Sequence, residues 1–125
     1  MQSNKVKFEV IYNLEELNQH LRQAQDQGLP AVLDFYADWC ISCIVMENQV
    51  FPLPEIRSKL DQFYLIKADV TENSQLSLAL LEHYDLFGPP SILFFNQKGE
   101  EKADIRIVGE ISKKGFENRL TAALE

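Results

Sequence analysis

One stretch of the sequence, residues 31–37, limits the possible folds more than any other. It reads Ala-Val-Leu-Asp-Phe-Tyr-Ala, a near-continuous apolar run that is broken only by Asp34. A run of this length without alternation is typical of a strand that is covered on both faces. The sequence therefore predicts an α/β domain with this segment in the centre of its sheet.

Four further strands are predicted around this central one. Val6, Phe8 and Val10 alternate with polar residues, which is the pattern of a half-buried strand. Apolar runs predict two more strands, and a polar turn then sends the chain back through a last one. The predicted strands cover residues 5–10, 63–68 and 91–95 and a returning segment with Ile105 and Ile107.

Helices are predicted in the intervals between these strands and at the end of the chain. Asn13 and Glu16 have the spacing of a capping box, and Ser112 can cap the last helix. A helix that starts near residue 41 must break or kink at Pro52-Leu53-Pro54. The predicted order is β-α-β-α-β-α-β-β-α, which gives a mixed sheet with helices on both faces.

Composition narrows the class of protein further. The chain has 125 residues, of which 46% are hydrophobic, and a formal net charge of −7, which argues against binding to nucleic acid or to an anionic membrane. No apolar stretch approaches the ~20 residues of a membrane span, and the start lacks the apolar segment of a signal peptide. Two cysteines are too few for a disulfide scaffold or a four-cysteine metal site. We therefore expect one soluble domain over residues 1–125 that holds no metal.

The two cysteines form a Cys-x-x-Cys motif directly after the central strand. Cys40 stands at the predicted start of a helix, where unpaired backbone N–H groups favour a thiolate. Cys43 follows one turn later, close enough to resolve a mixed disulfide formed at Cys40. The pattern favours redox chemistry, although half of a metal site shared with another chain, or two structural cysteines, would share this spacing.

The motifs around the cysteines resemble those of the thioredoxin superfamily. These are Phe35-Tyr36-Ala37-Asp38-Trp39-Cys40-Ile41-Ser42-Cys43 and Gly88-Pro89-Pro90. From about residue 10 onward, the chain is most similar to the C-terminal periplasmic domain of the DsbD family of transmembrane thiol:disulfide interchange proteins. The marks of this closer resemblance are Leu33-Asp34, Glu47, Val50-Phe51, Ala68-Asp69-Val70-Thr71 and Ser91-Ile92-Leu93-Phe94-Phe95.

The resemblance implies a thioredoxin fold and a relay of electrons. The chain would receive them from the membrane-embedded domain of its parent protein and pass them to the N-terminal periplasmic domain, which serves disulfide isomerases and cytochrome c biogenesis. It would act as a monomer in the periplasm, as a domain of an inner-membrane protein, with the redox-active Cys40–Cys43 disulfide as its only cofactor. Cys40 would be the exposed nucleophile, Cys43 the buried resolving thiol and Pro90 a cis-proline that faces them.

Two acidic residues are implied to lie near the thiols. The resemblance implies that Asp34 lies beneath the active-site helix and Glu47 on the lower face of that helix. Without the resemblance, Asp34 could be a chance polar residue and Glu47 a solvated helix residue. A carboxylate at ~6 Å opposes a thiolate by roughly 2.8 kcal/mol at an effective dielectric of ~20, against about 0.3–1 kcal/mol from the helix terminus. We therefore predict a Cys40 pKa near or above the free-thiol value of ~8.5, and a protonated Asp34 that takes part in proton transfer. The chain departs from many thioredoxins at Ile44, where they carry a lysine.

A small apolar patch is expected around the cysteines. Trp39, Ile41 and Pro89 stand at loop positions, where partner contact is favoured over core packing.

The sequence leaves two other functions open. The chain could be a free-standing thioredoxin-like reductase, or a binding module of this fold whose cysteines do not take part in catalysis.

Overall fold

The computed structural model describes residues 6–125, and a five-stranded sheet forms the middle layer of this part of the chain. The sheet order is β1-β3-β2-β4-β5, with β1 and β2 parallel to β3, and β4 antiparallel to both β2 and β5. The strands are β1 (Glu9–Ile11), β2 (Ala31–Tyr36), β3 (Tyr64–Asp69), β4 (Ser91–Phe95) and β5 (Ile107–Val108). The predicted mixed sheet is confirmed, with β2 at its centre.

Helices cover both faces of this sheet. They are α1 (Leu14–Asp26), α2 (Ile41–Val45), a π-helical segment (Met46–Val50), α3 (Pro54–Leu60), α4 (Gln75–His83), a 3₁₀ turn (Ala103–Ile105) and α5 (Lys113–Leu124). Apolar residues of α1 and α4 form one core with one face of the sheet, and those of α3 and α5 form a second core with the other face. The predicted α/β class is therefore confirmed. Within residues 6–125, no helix combines the length and apolar character that crossing a bilayer requires.

The central strand β2 supplies side chains to both cores. Leu33 and Phe35 are fully buried on the side of α1 and α4, and Val32 is buried on the side of α3 and α5. Because side chains alternate along a strand, Asp34 shares the face of Val32. The one acidic residue of this strand therefore points into the layer that contains the helices after the cysteines.

The second helical region breaks where the sequence predicts. The π-helical segment ends at Val50, and α3 begins at Pro54, a position where a missing backbone N–H costs nothing. The π-helical stretch itself was not foreseen. Glu47 is the second residue of this segment.

Two predicted strand details are wrong. Val10 was expected to face the core, but it is 43% exposed, and Ile11 is the buried residue of β1. Val10 pairs in register with Lys67, whose ion pair with Glu47 occupies this face of the sheet in place of apolar side chains. Lys5, part of the predicted first strand, lies outside the described residues. Ile105 lies in the 3₁₀ turn and not on the returning strand, since the chain leaves the sheet after the bridge between Phe95 and Glu101.

Candidate redox site

The two cysteines are joined in a disulfide at the start of α2. Cys40 is the N-cap residue of this helix, and Cys43 lies in its first turn, with 5.3 Å between the two Cα atoms. The Cys43 N–H donates to Cys40 Sγ at 3.2 Å, and the Cys40 N–H donates to the Ala37 carbonyl at 3.0 Å. An amide hydrogen aimed at Sγ stabilises the negative charge that appears there when the disulfide is reduced. The arrangement can therefore carry two electrons as a dithiol or a disulfide.

Both sulfur-bearing residues are nearly buried. Cys40 is 7% exposed and Cys43 is 4% exposed, so the expected contrast between an exposed and a buried cysteine is small in the disulfide form. The expectation of an openly exposed Cys40 is wrong, because the residue packs into the same core cluster as Ala37 and Cys43. Cys43 Sγ lies 3.7 Å from the Phe35 carbonyl oxygen, to which a reduced Cys43 thiol can donate.

Asp34 precedes the residue that contacts Cys43 Sγ, and its side chain is buried. It is 5% exposed, and its pKa is raised from 3.8 to about 8. Burial is the largest cause, the negative charge of Glu47 adds to it, and the positive charge of Lys67 offsets part of the rise. Asp34 is therefore mainly protonated at pH 7, so it does not carry a fixed negative charge.

Glu47 forms an ion pair with a lysine on the neighbouring strand. Lys67 Nζ lies 2.6 Å from Glu47 Oε2, and both side chains are less than one-fifth exposed. The same ammonium group lies 4.4 Å from the centre of the Tyr36 ring. Lys67 also pairs in register with Asp34, so one cation lies close to both acids. The ion pair offsets part of the negative charge of Glu47, which still raises the pKa of Asp34 more than Lys67 lowers it.

Sequence reasoning missed Lys67, although a signal was present. It is the one charged residue in the apolar run 63–68, just as Asp34 is in the run 31–37. Opposite charges at the centres of two neighbouring buried strands predict that the two side chains meet. The sequence alone did not give the register that brings them together.

Thr71 is a second residue to which the sequence assigned no role at the site, although it belongs to one of the motifs of the DsbD resemblance. Its hydroxyl oxygen accepts from the Asp38 N–H at 2.9 Å, and its carbonyl accepts from the Trp39 indole N–H at 2.9 Å. Asp69 in turn accepts from the Thr71 N–H at 3.0 Å. The loop before Cys40 is therefore fixed to the end of β3, and Trp39 stays 53% exposed in a defined orientation.

The Pro89–Pro90 peptide bond is cis, and both prolines are partly buried. The Pro90 carbonyl accepts from the Gly109 N–H at 2.9 Å, which connects this loop to the segment after β5. Pro90 and Ile41, which is 78% exposed, line one groove beside the disulfide. Trp39 and Pro89 do not line this groove, so the predicted patch is divided between the groove and the surface next to it.

No metal centre is evident in the described part of the chain. Among residues 6–125, no three His, Cys, Asp or Glu side chains are grouped so that they could hold an ion.

Comparison with known proteins confirms the resemblance to the thioredoxin superfamily. A family model described as a thioredoxin-like domain matches residues 17–124. Thiol:disulfide interchange protein DsbD 1 of Pseudomonas aeruginosa is 44% identical over 108 residues, which are 86% of this chain and 18% of that protein. The chain spans about a fifth of the length of the curated relatives it matches.

Two solved structures of the DsbD C-terminal domain of Neisseria meningitidis are also similar. The reduced form is 32% identical, with a TM-score of 0.75 over 87% of this chain and 95% of that one. The oxidised form is 28% identical, with the same TM-score over 90% and 98% of the two chains. This protein therefore belongs to the thioredoxin-like family and, within it, to the group formed by the C-terminal domains of DsbD.

Proposed function

We propose that this chain is a thiol:disulfide oxidoreductase that reduces protein disulfides through Cys40 and Cys43. The observation that carries the proposal is the disulfide at the start of α2, where an amide hydrogen of Cys43 points at Cys40 Sγ. The names of the relatives, which are thiol:disulfide interchange proteins, support the same activity.

The reaction is a two-step exchange that starts from the dithiol. The Cys40 thiolate attacks one sulfur of the partner's disulfide, which forms a mixed disulfide and releases the partner's other sulfur as a thiolate that takes up a proton. The Cys43 thiol then loses its proton and attacks Cys40 Sγ, which closes the Cys40–Cys43 bond and releases the partner's first sulfur. Two electrons and two protons pass to the partner, and the reverse sequence oxidises a dithiol.

Asp34 is proposed to hold and move the proton of the resolving thiol. Its pKa of about 8 lies close to the ~8.5 of a free thiol, and proton transfer between groups of similar pKa costs little free energy. The ionised form would accept the proton of Cys43 when that thiol attacks. The protonated form would return it when Cys43 leaves as a thiolate. Glu47 is proposed to tune this exchange through its charge on Asp34 and its ion pair with Lys67.

The proposed setting is a larger membrane protein of the DsbD type. Residues 1–125 would be a single monomeric domain in the periplasm, reduced by the membrane-embedded domain of the same protein and oxidised by its N-terminal domain. The disulfide would serve as the only cofactor. The relatives' name and the short share of their length that this chain spans support this assignment. The partly exposed Trp39, Ile41, Pro89 and Pro90 would contact these partners.

A trapping experiment tests the proposal. Cys43→Ala leaves a reactive Cys40 without its resolving thiol, so a mixed disulfide with a partner should accumulate, whereas Cys40→Ser should form none and should lose insulin reduction. Purified N-terminal and membrane domains of a DsbD protein are the partners to add. Insulin reduction that survives Cys40→Ser would exclude the redox role and leave a binding module. Trapping of other proteins only would indicate a free-standing reductase.

A further inference from the structure

A groove beside the disulfide has one charged residue in its lining. It has a volume of about 250 Å³, below the ~300–1,000 Å³ of sites for small molecules, so it suits a side chain of a docked protein segment better than a free ligand. It is lined by Ile41, Ser42, Val45, Met46, Val50, Pro90, Glu110 and Ile111. Among these described residues only Glu110 carries a charge.

Glu110 is held in place from two sides. Its carboxylate oxygen Oε2 accepts a short hydrogen bond from the Ser42 hydroxyl, which lies between the two cysteines. Its neighbour Gly109 has a positive φ of 89° and donates its N–H to the Pro90 carbonyl at 2.9 Å. The segment Gly109-Glu110 therefore connects the active-site helix to the cis-proline loop, through the Glu110 side chain on Ser42 and the Gly109 backbone on Pro90, although 68 residues separate Ser42 from Glu110.

This carboxylate can accept a second donor without losing Ser42. A carboxylate has two oxygens with lone pairs on each, and Ser42 engages Oε2. Glu110 is itself exposed, so a donor can approach from solvent. The side chains of Ile41 and Val45, which are 78% and 40% exposed, offer apolar contact next to it.

We propose that Glu110 is a specificity-determining residue, which gives the groove a preference for partner segments that carry Arg or Lys near the disulfide to be reduced. The proposal deepens the function above and depends on it. The basic side chain would lie with its aliphatic part on the apolar wall and its charged end on Glu110. Ser42 is a positioning residue that holds the carboxylate at the mouth of the groove.

The test uses three disulfide-bonded peptides as substrates. They differ only at one position beside a cysteine, where the residue is Arg, Gln or Glu. The rate of oxidation of the dithiol protein is followed by the fluorescence of Trp39, the only tryptophan of the chain. The quantity of interest is the ratio of the Arg to the Gln rate, because changes in the intrinsic reactivity of Cys40 cancel in it. An exposed ion pair is worth up to ~1 kcal/mol, so the ratio should be up to about fivefold higher than in Glu110→Gln. The Glu peptide should be the slowest, and high salt should reduce the ratio.

Two further variants separate this role from a general effect of charge. Glu15→Gln removes an exposed acid on α1, which packs on the other face of the sheet, and should leave the ratio unchanged. Ser42→Ala should lower the ratio, and Ser42→Thr, which keeps the hydroxyl, should restore it. A ratio that is the same in the original protein and in Glu110→Gln overturns the proposal. Failure to reduce any of the three peptides overturns the proposed function itself, and with it this inference.

Discussion

Replacing Asp34 with asparagine should stabilise the folded protein, and the gain should increase with pH. The folded chain holds Asp34 with a pKa of about 8, while an unfolded chain has the ordinary value of 3.8. Asparagine has nearly the shape of the protonated acid and cannot ionise. The variant therefore removes the cost of keeping a buried acid protonated and leaves the packing around β2 largely intact.

The magnitude follows from the two pKa values. Below pH 3.8 both states bind the proton, so the acid costs no stability. Between pH 3.8 and 8 only the folded state binds it, and each pH unit then favours unfolding by about 1.4 kcal/mol. At pH 7 about three such units have accumulated, so Asp34→Asn should raise the free energy of unfolding by about 4 kcal/mol, and at pH 4 by less than about 1 kcal/mol.

Urea unfolding of the disulfide form at pH 4, 7 and 8 measures this difference. Asp61→Asn, a substitution at an exposed position, is the matched control and should change stability by less than about 0.5 kcal/mol at each pH. A gain that is equal at pH 4 and pH 8, or a loss at pH 8, would refute the reasoning. An equal gain would mean that folding does not raise the pKa of Asp34, and a loss at pH 8 would mean that the fold stabilises its carboxylate.

Three further predictions concern the thiols, the ion pair and the core. The Cys40 pKa should be near or above ~8.5 in a thiolate-absorbance titration of the reduced protein, because Cys40 is nearly buried, and a value below ~7 would show that the helix terminus and the Cys43 amide outweigh this burial. Lys67→Met should lower the free energy of unfolding by about 2 kcal/mol, which is less than the ~3–5 kcal/mol lost when a fully buried ion pair is broken. The same variant should raise the pKa of Asp34 further, because the positive charge that lowers it is removed. Adding Glu47→Gln should recover part of the lost stability, because it removes the unpaired acid. Phe116→Ala should cost about 4 kcal/mol in urea unfolding because the ring is fully buried, and an unchanged midpoint would show that the second core is misassigned.

The charge states of Asp34 and Glu47 could not be predicted from the sequence. It treated Asp34 and Glu47 as two free charges that both oppose a thiolate at Cys40. The structure pairs Glu47 with Lys67 and buries Asp34 until it holds a proton at pH 7. The sequence could not supply this result, because the charge of a buried acid depends on solvent exclusion by layers that are distant along the chain.

Ser42 and Glu110 illustrate a related limit. Neither residue belongs to a pattern that predicts contact, and nothing local indicates that a glutamate after β5 returns to the space between the cysteines. The contact depends on how far β5 extends and on the direction that the chain takes at Gly109, whose positive φ only tertiary context explains.

The sequence by itself determined the features that depend on near neighbours. Strand and helix periodicity, the break before Pro54 and the position of Cys40 at a helix start all follow from residues a few positions apart, and they were enough to predict an α/β fold with a Cys-x-x-Cys redox pair. Only the tertiary structure decided the burial of both sulfurs, the proton on Asp34 and the partners of Glu47 and Glu110. These properties arise from strand register and loop direction, which bring residues together that no local spacing connects.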